Sequence, residues 1–195
     1  MTTEEKVKQI KRSFRLLMNG EASKYMRENG IDYHLNWGVA FSDLKQMAEE
    51  YGKDYHLAIQ LWMENIRECK ILATLIMPME EMTTQLAELW MEQVQTLEMA
   101  EMLAHNLLQY LDFAPQLAFE WVATSQPLRQ VCGYHIISGK LGKGPSQTSE
   151  SLLKSSTRLP RPCTTSQSPS GTPHTTASTA SQASATTMHR WWRRP

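Results

Sequence analysis

Apolar residues in the first 141 positions recur with the spacing of helices. Val7, Ile10, Phe14 and Leu17 are three or four positions apart and form one stripe, the pattern of an amphipathic helix with one buried face. Similar stretches follow along these residues, and none alternates apolar and polar positions as a half-buried strand would. The pattern predicts an all-α fold.

Capping and turn residues divide this helical sequence into segments. Asn19-Gly20 marks the end of the first helix, Ser42 is a cap-like start, and Gly52 stops the segment that Ser42 begins. Prolines are tolerated in the first helical turn, where a missing N–H costs nothing, and three of them predict further helix starts. They are Pro78, Pro115 and Pro127.

From Asp54 onward the helices come in pairs, each of about 35 residues. The first helix of three successive pairs contains a tryptophan, namely Trp62, Trp90 and Trp121. Recurrence of a two-helix unit predicts a HEAT-like repeat α-solenoid, a right-handed stack of antiparallel helix pairs. A plain helical bundle is the alternative, and the recurring tryptophan favours the solenoid.

Composition changes abruptly after residue 141. Residues 1–141 contain 13 Lys and Arg against 19 Asp and Glu, a net charge of −6, whereas residues 142–195 have a net charge of +6. Ser and Thr occupy 21 of these last 54 positions, and such a segment buries too little apolar surface to offset the entropy of ordering. We expect a helical-repeat domain over 1–141 and a disordered, basic, Ser/Thr/Pro-rich tail over 142–195. Our interpretation is that a reading-frame change near residue 141 produced this tail, and a native tail that binds nucleic acid is the alternative.

Cysteine usage and hydropathy favour a cytoplasmic protein over a secreted or membrane-spanning one. Cys69 and Cys132 lie in apolar helical contexts, where a reduced thiol packs as a small hydrophobic group. The longest uncharged apolar run, "ILATLIMPM", is too short to cross a bilayer, and the N-terminus lacks a signal-peptide pattern. We expect a cytoplasmic protein with no membrane partner.

Few residues have the spacing of a metal or cofactor site. Glu101 and His105 lie four positions apart on one helix, but the sequence shows no third ligand beside them. "GKLGKG" at residues 139–144 lacks the spacing of a phosphate loop. The other histidines considered, His34, His56 and His135, are isolated. The sequence therefore predicts no metal and no small-molecule cofactor.

Two charged groups remain as candidates. A basic cluster on one flank of the first helix is a candidate for phosphate contacts, although a solvated helix face is the alternative in a domain of net charge −6. It consists of Lys6, Lys8, Lys11, Arg12 and Arg15. The second group is Arg67-Glu68, which with Trp62 we interpret as a joint between repeats. A buried guanidinium must be paired, so Arg67 is expected to bond carbonyls or a carboxylate of the neighbouring repeat.

The segments "EASKYMREN", "NWGVAFSDLKQMAEEYG" and "LWMENIRECKILATLIM" resemble the DNA alkylation repair family of helical-repeat alkylpurine DNA glycosylases. The resemblance covers residues 1–141. The matching positions in the third segment are, in order, Leu61, Trp62, Arg67, Glu68 and Ala73. The resemblance implies duplex DNA bound along a concave basic groove, and removal of cationic alkylated bases such as 7-methylguanine and 3-methyladenine.

The resemblance also implies a tryptophan pair and an aspartate that stabilise the sugar cation. The family's "WWDxVD" motif falls on "WMEQVQ", where Trp90 matches, the second tryptophan is Met91 and the catalytic aspartate is Gln95. Gln95 has no charge with which to attract a cationic transition state, and losing a preorganised group of this kind costs on the order of 10² to 10³ in rate.

A second family segment falls on "WVATSQPLRQVCG". There the tryptophan that the resemblance places in the groove is Leu128, and the arginine that holds the DNA backbone is Val131. Arg129 lies two residues away, on a different helix face, and is the remaining candidate for a DNA contact.

The sequence predicts a DNA alkylation repair-like protein that binds duplex DNA through its concave face, with absent or weak glycosylase activity. A helical-repeat scaffold for a protein partner is one alternative. The other is an active glycosylase in which Glu92 or Glu98 replaces the missing carboxylate.

Overall fold

The computed structural model describes residues 2–142, which form helices joined by short loops. The helices in this part of the chain are α1 (Thr3–Leu16), α2 (Gly20–Glu28), α3 (Phe41–Tyr51), α4 (Tyr55–Met63), α5 (Arg67–Ile76), α6 (Thr84–Glu92), α7 (Leu97–Asn106), a 3-10 helix (Leu108–Tyr110), α8 (Ala114–Val122) and α9 (Pro127–Leu141). Apart from Gly142, the predicted tail lies outside the described residues, and so does its interpretation as a frame change. Within residues 2–142 no helix is long and apolar enough to span a bilayer.

The helices stack as successive pairs. Helices α4 and α5 pack together, as do α8 and α9, and α6 and α7 lie between these pairs in the chain. The second helices form a packed row, in which α3 contacts α5, α5 contacts α7, and α7 contacts α9. Helix α1 packs against α4. The predicted all-α fold of stacked helix pairs is therefore confirmed.

The recurring tryptophans link the first helices of the pairs. Trp62, Trp90 and Trp121 are each at most 2% exposed. The rings of Trp62 and Trp90 are stacked, with centroids 4.1 Å apart and an interplanar angle of 4°. Each buried aromatic ring removes a large apolar area from water, and a stacked pair adds about 0.5–1.5 kcal/mol.

A continuous apolar core runs through the stack and contains buried side chains from every described helix except α2. The 3-10 helix contributes Leu108. Cys69 and Cys132 belong to this core as free thiols, as predicted. Burial raises the pKa of both thiols, which keeps them in the neutral form that packs as a hydrophobic group.

Several predicted helix boundaries are wrong, because Asn, Ser and Pro are common near helix ends but do not by themselves fix where a helix begins or stops. Asn19 does not stop α1, since its side-chain oxygen accepts a hydrogen bond from the Ala22 N–H at 3.0 Å and caps α2. Ser42 lies inside α3, whose N-cap residue is Ala40. Pro78 follows the end of α5 and does not begin α6, whose N-cap residue is Thr83 and whose first residue is Thr84.

Other predicted boundaries are confirmed. Gly52 ends α3 with a φ of 67°, a conformation that glycine adopts at little cost. Pro115 and Pro127 both lie in the first turn of a helix, in α8 and α9. Leu17, however, lies just beyond the end of α1 and is 41% exposed, so it does not continue the buried stripe of that helix.

Candidate functional site

Arg67 connects two successive helix pairs from the first position of α5. Its side chain is 4% exposed, and its guanidinium donates from Nε to Glu98 Oε2 at 2.9 Å and from Nη2 to Glu98 Oε1 at 2.6 Å. Glu98 belongs to α7 in the following pair. Nη1 also donates to the Val39 carbonyl at 3.3 Å. Burial disfavours the charged guanidinium, but the hydrogen bonds and charge of Glu98 outweigh it and raise the pKa of Arg67.

Glu68, beside it, binds the loop between α2 and α3. Its Oε1 accepts hydrogen bonds from the backbone N–H groups of Trp37 at 3.1 Å, Gly38 at 3.0 Å and Val39 at 3.4 Å. Gly38 has a φ of 70°, and a Cβ there would lie 2.2 Å from the Asn19 carbonyl oxygen. Only glycine fits this approach. The mostly apolar helix α5 thus begins with two charged residues, Arg67 and Glu68, and each of them binds another part of the fold.

Tyr33 completes this buried polar network. Its hydroxyl donates to Glu98 Oε2 at 2.7 Å and accepts from Thr96 Oγ1 at 2.8 Å. Burial, followed by the nearby charge of Glu98, raises the pKa of Tyr33 and keeps its hydroxyl protonated. The carboxylate of Glu98 is therefore committed to Arg67 and Tyr33 and is not available to replace the missing catalytic carboxylate.

A cleft of about 170 Å³ lies between the end of α6 and the start of α9. Its lining includes Met91, Glu92 and Val94 on one side and Pro127, Leu128 and Arg129 on the other. The fold therefore brings together Met91 and Leu128, two positions at which the resemblance implied tryptophans. Gln95 is exposed and Val131 is half-buried, and neither lines the cleft.

Trp90, the family tryptophan that this chain retains, is buried and does not line the cleft. Its ring is covered by Trp62 in the stacked pair described above. A ring held in this way contributes to packing between α4 and α6 and offers no free face to a ligand.

Arg129 is paired within the protein. Its Nη1 bonds Glu88 Oε2, its Nη2 lies 4.0 Å from Glu92 Oε1, and its guanidinium lies 5.8 Å from the centre of the Trp121 ring. Glu88 also accepts a hydrogen bond from Trp121 Nε1 at 2.5 Å. Glu88 could not be identified from the sequence, because its partners Trp121 and Arg129 are 33 and 41 residues away.

Two lysines of the basic cluster pair with acids of the neighbouring helix pair. Lys6 Nζ lies 2.7 Å from Asp54 Oδ2, and Lys11 Nζ lies 2.5 Å from Glu64 Oε1. The hydrogen bond from Lys6 lowers the pKa of Asp54, which is also the N-cap residue of α4. These lysines attach α1 to the two ends of α4.

The other three cations of the cluster, Lys8, Arg12 and Arg15, are exposed. Their i, i+4, i+7 spacing places them along one face of α1, on the side away from its buried Val7, Ile10 and Phe14. We call Lys8, Arg12 and Arg15 the cationic stripe. Acidic residues of α1 are confined to its first turn.

His135 is not isolated, contrary to the prediction. The packing of α9 on α7 brings its Nδ1 within 3.0 Å of His105 Nε2, and its Nε2 lies 3.4 Å from Glu101 Oε1. Burial, followed by the proximity of His135, lowers the pKa of His105. Among residues 2–142 no group of three or more His, Cys, Asp or Glu side chains has a geometry that could hold a metal ion.

The fold is expected to lose stability as the pH falls through about 6.5, the pKa of an unfolded histidine. The pKa of His105 is lower in the folded chain, so the unfolded chain binds more protons below that pH, and stability rises with pH there. Denaturant midpoints measured from about pH 5 to 8 test this. His105→Gln should flatten the dependence, whereas equal slopes for both proteins would refute the assignment to His105.

Comparison with known proteins agrees with this architecture. The model of the family described as "DNA alkylation repair enzyme" matches residues 10–143. A similar solved structure is described as "A new family of proteins related to the HEAT-like repeat DNA glycosylases with affinity for branched DNA structures". The two proteins are 20% identical in sequence, and their structures match with a TM-score of 0.68. The match covers 76% of this chain and 63% of the solved one, so this chain spans less than two thirds of the solved protein's length. No curated protein matches the chain. By its family match and its fold, the chain belongs to the DNA alkylation repair family.

Proposed function

We propose that this chain binds DNA through the cationic stripe of α1 and excises bases weakly or not at all. The observation that supports binding most directly is the exposure of Lys8, Arg12 and Arg15 along one helix face. Contacts with phosphates supply most of the affinity of proteins for DNA of any sequence. Arg129, the remaining candidate from the second family segment, contributes less, because Glu88 pairs with it. The affinity of the similar solved protein for branched DNA supports the same conclusion.

Gln95, Trp90 and Glu92 support the second part of the proposal, that excision is weak or absent. Gln95 stands where the family motif has its aspartate, and Trp90 is packed against another tryptophan. Glu92 lines the cleft and its side chain is 63% exposed. An exposed carboxylate is well solvated, so it attracts a developing cation less strongly than a preorganised one in a dry site.

Replacing two residues of the cationic stripe should weaken DNA binding and its dependence on salt. We expect Lys8→Gln with Arg12→Gln to reduce the slope of log K against log salt by about 1.8, which corresponds to two lost phosphate contacts. Anisotropy titrations of a labelled duplex at several salt concentrations provide the measurement.

Lys6→Gln with Lys11→Gln is the matched control, because it removes the same charge from the same helix. Those lysines already pair with Asp54 and Glu64, so the slope should change much less. Equal slopes for the two double variants would show that only net charge matters and would contradict the proposed surface.

A protein-binding scaffold is the second candidate, favoured by the net charge of −6 over residues 1–141. An acidic surface repels phosphates and attracts basic partners. DNA binding that disappears at high salt supports the first candidate. Absence of DNA binding at low salt, together with a protein complex that survives high salt, supports the second.

A further inference from the structure

Three consecutive apolar side chains are exposed where α1 ends. Leu16, Leu17 and Met18 are 87%, 41% and 62% exposed, and we call them the apolar turn. Single exposed apolar residues are common, but a contiguous run of large ones is typical of a binding surface. Within the described residues Leu16 and Met18 remain mostly open to solvent, and Leu17 is partly covered.

Backbone hydrogen bonds hold the apolar turn on both sides. The Leu17 N–H donates to the Ser13 carbonyl at 3.1 Å, and the Asn19 N–H donates to the Trp37 carbonyl at 2.8 Å. Beneath the turn, Phe14 is fully buried, and its ring centre lies 5.7 Å from that of Trp37. The exposed side chains therefore project from a fixed backbone, and binding them costs less conformational entropy than ordering a loose loop would.

The apolar turn continues the cationic stripe. Leu16 lies four positions after Arg12, so these two exposed side chains are neighbours on one face of α1. Glu4 and Glu5 lie at the opposite end of α1, in its first turn. Around Arg12 the surface thus presents a cation followed directly by the apolar side chain of Leu16, with the exposed Met18 just beyond the end of the helix. Such a surface suits a polyanion that also exposes an apolar face.

Branched DNA has both properties, whereas a continuous duplex buries its base faces in the stack. We propose that the apolar turn packs against the unstacked base pair at a DNA branch point while the cationic stripe binds the phosphates beside it. Leu and Met side chains serve as wedges of this kind at unstacked base steps in other DNA-binding proteins. This inference rests on the proposed function and specifies its substrate as a branched DNA.

The test compares a labelled four-way junction with a linear duplex of the same arm sequence, using the full chain. Leu16→Gln with Met18→Gln should weaken junction binding about tenfold and leave duplex binding within about twofold. Met63→Gln with Leu89→Gln is the matched control, since these side chains are 73% and 54% exposed on other helices. It should change neither affinity.

A fluorescent adenine analogue at the branch point gives a second readout. It should brighten when the wild-type chain binds and unstacks it, and brighten less with the variant. Leu16→Ala with Met18→Ala, in which alanine keeps a high helix propensity at the last position of α1, should behave in the same way. Its unchanged duplex binding would show that the variant is folded.

Three outcomes overturn the inference in distinguishable ways. Unchanged junction affinity in both apolar-turn variants refutes the wedge alone, provided that Lys8→Gln with Arg12→Gln still weakens both DNAs. Equal losses on the junction and the duplex also refute the wedge, because they show a general contact. A wild-type chain that binds neither DNA overturns the proposed function together with this inference.

Discussion

Arg67→Ala is expected to lower the free energy of unfolding by about 3–5 kcal/mol, the usual cost of removing one partner from a buried ion pair. Without the guanidinium, the carboxylate of Glu98 loses the group that donates hydrogen bonds to both of its oxygens. Glu68, whose side chain is 0% exposed, loses its adjacent cation. The Arg67 side chain itself bonds both the Val39 carbonyl of the loop that Glu68 holds and Glu98 of α7. One substitution therefore weakens two connections of the fold.

Denaturant titration followed by circular dichroism measures this loss. Arg15→Ala removes the same kind of charge from the surface of α1 and should change stability by no more than about 0.5 kcal/mol. Adding Glu98→Gln to Arg67→Ala should recover part of the loss, because the second substitution removes a buried charge that has lost its partner. An Arg67→Ala protein that unfolds together with wild type would show that Arg67 does not join the repeats.

The wild-type chain is expected to release no 7-methylguanine above background from methylated duplex DNA. A preorganised carboxylate is worth on the order of 10² to 10³ in rate, and Gln95 supplies no charge at that position. Gln95→Asp with Val131→Arg restores both residue types that the family motif has and should raise release to a detectable trace. Chromatographic measurement of the free base decides between these outcomes.

Glu92→Gln is the control for this assay, because Glu92 is the acid that lines the cleft. It should leave the background release of the wild type unchanged. Robust release by wild type that Glu92→Gln abolishes would instead identify an active glycosylase with a replacement carboxylate.

The sequence predicted the fold well because its signals are local and repeated. The spacing of Val7, Ile10 and Phe14 sets the buried face of α1, and a tryptophan in each pair identifies the repeat. A charge pair inside an apolar segment also indicated that Arg67 needs a buried partner. The sequence did not show that this partner is Glu98, because 31 residues separate the two.

The candidate site was harder to predict, since it depends on contacts between distant segments. Lys6 and Lys11 match the cationic stripe in composition, yet acids 48 and 53 residues away neutralise them. His135 and Arg129 acquire their partners only when α9 packs on the preceding pairs. Helix spacing reveals which residues share a face, but not which acid of another helix lies opposite.

The most direct test of this account measures DNA binding and base release in the same sample. The 195-residue chain, in excess over labelled methylated duplex, is brought to saturation at low salt, as followed by anisotropy. Free base is then measured over time. The account predicts saturable binding that is lost at high salt, with 7-methylguanine release no faster than in the protein-free control. Release well above that control, or no binding at low salt, would contradict it.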